Sequence, residues 1–104
     1  MSTTTHPDED LDGLGDDLAF IRASRFRRAV IVTLHGATDG HTPTAIAEQR
    51  DLLADNVRPT VKALRERDLI ELLVPEERKH GRRYGLTDRG AAIAPHVAER
   101  DADA

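Results

Sequence analysis

Apolar residues in this chain fall into short blocks set at two different periods, and the blocks follow a definite order. Residues 1–16, MSTTTHPDEDLDGLGD, hold too few apolar side chains to bury themselves and read as a flexible acidic arm. From Ser24 the stretch SRFRRAVIVTLHG carries apolar residues around most of a helix's circumference, as a central helix packed on two sides does. Ser24 is a good N-cap and Gly36 a good left-handed C′ residue, so a helix is expected over 24–35. Strand propensity in Val30-Ile31-Val32-Thr33 pulls the other way, and cap signals and length outweigh it. The preceding LAFIRA either extends this helix or forms a short one of its own.

After a turn at DGHT, the segment TPTAIAEQ places Thr42 as N-cap and Pro43 at the first helical position. Its apolar content supports only about two turns. RDLLAD breaks the pattern, and NVRPTVKALRER resumes it with Val57, Val61 and Leu64 on one face. Asn56, Arg58, Pro59, Lys62 and Glu66 fall on the opposite face. Proline is tolerated in a helix's first turn, so this helix is expected over about 55–67, capped by Asp55 or Asn56. The period then shortens to two. LIELLV (69–74) and RRYGLT (82–87) read as strands, with PEERKHG between them as a protruding tip. A last helix starts behind Thr87, carries Ile93 and Val97, and should kink or end at Pro95.

Two short helices, the second polar and basic outside, followed by a hairpin, describe a winged helix-turn-helix. The expected fold is mainly α with a small β-hairpin wing: a three-helix core, a two-stranded wing and a C-terminal helix. Domain limits follow: an arm over 1–16, the folded unit over 17–98, an acidic tail over 99–104.

Charge sharpens this picture. The whole chain of 104 residues has a net charge of -4, yet residues 18–98 hold 14 basic residues against 10 acids. The folded part is basic and its ends are acidic. Arg outnumbers Lys 13 to 2 and Asp outnumbers Glu 12 to 7, a balance resembling proteins of salt-loving archaea that a GC-rich genome also produces. Without cysteine there are no disulfides and no thiolate sites. Five scattered histidines (6, 35, 41, 80, 96) show no metal-ligand spacing, so no metal is expected. No nucleophile–base set or phosphate loop stands in a recognisable context, which leaves no catalytic residue, no cofactor and no enzyme. No apolar run nears the roughly 20 residues of a membrane span, and a cytoplasmic location is the expectation.

At TPTAIAEQRDLLADNVRPTVKALRERDLIELL and VPEERKHGRRYGLTDRG the chain resembles winged helix-turn-helix transcriptional regulators of the ArsR and MarR type, small archaeal versions in particular. The second block is the more specific: strand, charged tip, Gly-Arg, Tyr, then LT and Gly90 running into the last helix. The resemblance covers about residues 20–95 and implies a homodimeric repressor on a two-fold symmetric operator. Pro59-Thr60 departs from it, standing where relatives usually place larger polar side chains. So does the short last helix with Pro95, which shifts the expected dimer contact to helix 24–35 with Phe20, Ile21 and Ile31, helped by Ile93 and Val97.

A helix has the width of a major groove, and a basic loop beside it reaches phosphates or a minor groove. The DNA-contact candidates are therefore Asn56, Arg58, Pro59, Thr60 and Lys62 on the helix and Lys79, Arg82 and Arg83 on the wing, about 75–83. Arg58 suits guanine, Asn56 adenine, and Lys62 a phosphate. Arg27 and Arg28, with Arg25, either touch DNA backbone or neutralise the arm. Arg65 and Arg67 are expected to pair with Glu66, Asp68 or Glu71 and are left out, while Glu76 and Glu77 either oppose the wing's charge or anchor its base. The competing reading is a winged-helix module docking an acidic protein. A small-molecule effector has no support in the sequence.

Overall fold

The computed structural model describes the backbone of residues 5–103 and the side chains of residues 14–98. Its elements are α1 (Thr5–Arg22), α2 (Arg25–His35), α3 (Pro43–Arg50), α4 (Ala54–Glu66), β1 (Ile70–Leu72), β2 (Tyr84–Leu86) and α5 (Asp88–Asp103). The strands pair antiparallel, Ile70 opposite Leu86 and Leu72 opposite Tyr84. The mainly helical architecture with a hairpin wing is thus the expected one.

Local capping explains most helix starts. The Ser24 hydroxyl accepts from the amides of Phe26 and Arg27, and that of Thr42 accepts from Ala45 ahead of Pro43. Thr87 does more: its hydroxyl accepts from Gly90 N–H (3.0 Å) and donates to the Asp68 carbonyl (2.7 Å), joining α5 to the end of the α4–β1 turn. Gly36 closes α2 with φ -92°, so the expected left-handed C′ conformation is absent there. The left-handed cap falls instead on Asp51 (φ 57°) behind α3.

Four expectations are corrected by the structure. Residues 5–16, read as an irregular arm, belong to α1, while residues 1–4 lie outside the described residues. The physical reason is the spacing of Leu14, Leu18 and Ile21, which puts three apolar side chains on one flank. Leu14 and Leu18 pack on the core and Ile21 is fully buried. α4 begins at Ala54 behind an uncapped Leu53, so Pro59 lies in its second turn. There its ring nitrogen has no hydrogen to offer the Asp55 carbonyl. α5 runs past Pro95 to Asp103 instead of ending, through what had been read as a separate tail.

The fourth correction concerns the dimer. Ile21, Ile31, Ile93 and Val97 have essentially no exposed surface in the single chain. They form its core with Val30, Leu34, Ile46, Val57, Leu64 and Leu69, and cannot also meet a partner. Phe20 is half-buried, held between the guanidinium groups of Arg27 (3.8 Å) and Arg67 (4.1 Å). An amphipathic pattern marks burial without saying against what.

Arg67 reaches neither Glu66 nor Asp68 but Asp17 of α1, at 3.0 Å, and Arg89 of α5 binds the other oxygen of the same carboxylate. The Asp17 side chain is only 5% exposed and therefore depends on these two donors. Asp17→Asn should lower the melting temperature by about 5–10 °C, since a charged hydrogen-bond acceptor is lost between half-exposed arginines. Thermal denaturation checks this, and an unchanged midpoint would mean that Leu14, Leu18 and Ile21 hold α1 unaided.

Candidate nucleic-acid interface

α3 and α4 pack against one another and the hairpin follows directly, so three features converge on one side of the molecule. Val57, Val61 and Leu64 bury the inner face of α4. With that face anchored, Arg58, Lys62 and Arg65 line up at i, i+4 and i+7 on the flank toward the wing. They border a groove of about 620 Å³ whose other walls are Thr42 and Thr44 at the start of α3 and Lys79, His80 and Arg82 of the wing. Five cationic side chains thus share one concave surface.

The wing is held by its own arginines. Arg82 donates from Nε to the Arg78 carbonyl (2.6 Å) and from a terminal nitrogen to that of Glu76 (2.8 Å). Arg83 donates to the carbonyls of Asp39 (3.2 Å) and Gly40 (3.4 Å), tying β2 back to the segment before α3. There His41 exchanges two backbone hydrogen bonds with Tyr84, at 3.0 and 2.9 Å, so the residue read as part of a turn adds an isolated antiparallel bridge to β2. Gly40 makes this approach feasible. A Cβ at that position would sit 2.4 Å from the Tyr84 carbonyl oxygen.

The helix residues stand mostly in solvent. Arg58 is 59% exposed and meets only Asp55, at 3.4 Å and itself almost fully exposed, a pairing worth little in water. Asn56, Pro59 and Lys62 are exposed, and the Thr60 hydroxyl donates to the Asn56 carbonyl (2.8 Å). Lys79 is exposed at the wing tip. The candidates on α2 are placed differently. Arg27 donates to the Phe20 carbonyl (2.8 Å) while stacking on its ring, and Arg28 donates to the Arg22 carbonyl (2.5 Å), so both join α1 to α2.

Sequence reasoning left out Arg65, which pairs with Glu76 of the wing at 2.6 Å rather than with Glu66, Asp68 or Glu71. Its seven-residue spacing from Arg58 was the available signal. Glu76 therefore braces the wing against α4. Thr42, Thr44 and His80 were also missed, because only the folded wing brings them to the same groove.

Nothing else among the described residues competes as a site. The two buried polar residues among those described are Asp17, already paired, and Thr33, whose hydroxyl accepts from Arg50 at 2.8 Å. No three metal-ligating side chains cluster among the described residues. No described helix is long and apolar enough to cross a membrane.

No protein-family model matches this chain, and no curated protein does. Solved structures do match its fold. A mutant of ZitR from Lactococcus lactis superposes with a TM-score of 0.67 at 19% identity, over 77% of this chain and 53% of that one. The chain thus spans about half the length of ZitR. A MarR family regulator from Neisseria meningitidis gives 0.67 at 26% identity, over 89% of this chain and 72% of that one. MepR of S. aureus, in a complex with DNA, gives 0.67 at 17% identity, over 97% and 74%. The five helices and hairpin are therefore a winged helix of the kind found in MarR family regulators.

Proposed function

We propose that this protein is a sequence-specific double-stranded DNA-binding transcriptional regulator, α4 entering the major groove while the wing tip rests on the adjoining backbone or minor groove. The observation that carries this reading is the shared groove. Arg58, Lys62 and Arg65 of α4 and Lys79 and Arg82 of the wing border one surface, on a chain whose net charge is negative. Positive groups gathered against the overall charge mark an anionic partner. The rod-and-loop shape of the surface suits a duplex, with a helix for the groove and a loop for the flanking phosphates. That MepR has been captured on DNA with the same fold supports the reading.

Within it, Lys62 and Lys79 meet phosphates and Arg58 and Asn56 meet base edges. Arg65 and Arg82 hold the wing at the angle this requires, and Arg83 ties its base. Two copies bind related half-sites of a two-fold operator, and repression follows where the operator overlaps a promoter. The protein works in the cytoplasm, and its Arg- and Asp-rich composition fits a salt-loving archaeal source.

The test is retention of duplex DNA by the full chain at rising salt, first with random duplexes and then with duplexes selected from them. Affinity should fall with a log–log slope of about -0.9 for each phosphate met per chain. Selected sequences should be held more tightly than random ones. A module that docks acidic proteins would leave both kinds of duplex unretained, and that result sinks the proposal.

A further inference from the structure

The outer surface of α4 is divided. Arg58, Lys62 and Arg65 line the groove against the wing. Past the exposed carboxylates of Asp55 and Glu66 runs an uncharged strip made by Asn56, Pro59 and Thr60, none of which lines the groove, with Leu53 at its head. Three of the four are apolar or have their polar atom engaged. Leu53 and Pro59 carry no side-chain polar group, and the Thr60 hydroxyl already bonds the Asn56 carbonyl.

Leu53 is the odd residue. It is 70% exposed, the most exposed large hydrophobic among the described residues, while Leu52 and Ala54 on either side pack toward the core. It also occupies the N-cap of α4, where its side chain makes no cap bond and Asn56 N–H turns back to its carbonyl (2.9 Å). Ser24, Thr42 and Thr87 all cap their helices, so among the helix starts whose side chains are described the omission falls on α4. A leucine there lowers stability twice, through a missing cap and through wetted apolar surface. Local rules broken without any gain to the fold point to a residue placed for its outward contact.

Resting on the DNA-binding reading above, we infer that Leu53 is a base-reading residue, its side chain packing on the 5-methyl group of a thymine in the major groove. The first residues of a recognition helix are those nearest the base edges. The thymine methyl is the apolar feature of that groove, and apolar side chains are its natural partners. Leu53 and Asn56 lie three residues apart, so a thymine under the first and an adenine under the second form one short A·T-rich contact. Lys62 on the cationic flank supplies sequence-independent attraction, and the neutral strip reads bases alongside Arg58.

The inference is tested on a duplex selected from random sequence by the unaltered full-length chain. Each thymine is replaced in turn by uracil, which keeps every hydrogen-bonding atom and removes only the methyl group. One thymine in each half-site should give about a fourfold loss of affinity on replacement, the worth of one buried methyl-sized group. Leu53→Ala and Leu53→Ser should bind the thymine and uracil duplexes equally. Leu53→Ser should at the same time raise the melting temperature by about 5 °C, because serine restores the cap, so lost discrimination cannot come from a damaged fold. Uracil effects of the same size in the chain and both variants, or none in any, would overturn the role of Leu53 while leaving DNA binding in place. Failure to select any duplex would overturn both, and the two failures differ in whether the selected duplex is retained.

Discussion

Gly90→Ala is expected to cost about 3 kcal/mol and to lower the melting temperature by more than about 10 °C. Gly90 lies in the first turn of α5, where a Cβ would sit 2.0 Å from the Leu69 carbonyl oxygen and 3.3 Å from a Leu86 methyl. The obstacle is backbone, and it is already engaged: the same carbonyl accepts from Thr87 N–H at 3.1 Å. Relief requires α5 to lift away from β1, which disturbs both the Thr87 cap and the buried Ile93 and Val97 behind it. Total stabilities of small domains are about 5–15 kcal/mol, so the variant should still fold but with much of its margin gone. Thermal and urea denaturation measure the effect. A shift below about 3 °C would mean that α5 approaches the hairpin less closely than described.

The second large effect concerns affinity. The double variant Arg58→Glu, Lys62→Glu should bind its selected duplex about 100-fold more weakly at moderate salt while melting within about 2 °C of the unaltered chain. Both side chains are exposed, and Arg58 exchanges only a solvent-screened pairing with Asp55, so the fold does not depend on either charge. Two cations beside the wing become two anions facing phosphate or base. The single variants separate the roles. Lys62→Ala should weaken selected and random duplexes alike and reduce the salt slope by about 0.9. Arg58→Ala should narrow the difference between them. If neither the affinity nor the slope moves in the double variant, α4 is not the surface that meets DNA.

These two substitutions also mark how far the sequence could be followed. The elements around Gly90 were legible in order: strand, charged tip, second strand, then Thr87 as a cap. The outer face of α4 was legible because Val57, Val61 and Leu64 identify the inner one. Arg65 was misassigned for a simple reason. Its nearest acids along the chain are Glu66, Asp68 and Glu71, yet its partner is Glu76, eleven residues away across the folded hairpin. The dimer residues were misassigned for a related one, since α2 is buried within its own chain by α4, α5 and α1.

From its amino acids alone the chain determines the kinds and order of its elements. Capping, proline tolerance and the change of period from helix to strand act within a few residues, and each leaves its mark where it acts. Tertiary structure decided what those elements meet. Asp17 finds Arg67 and Arg89 across 50 and 72 residues, and His41 bridges to Tyr84 of β2. The wing closes on α4 to gather five cations in one groove, and α1 extends over a core that hides Ile21 and Ile31. Contacts of that range depend on how surfaces dock, and docking leaves no period in a sequence to be read.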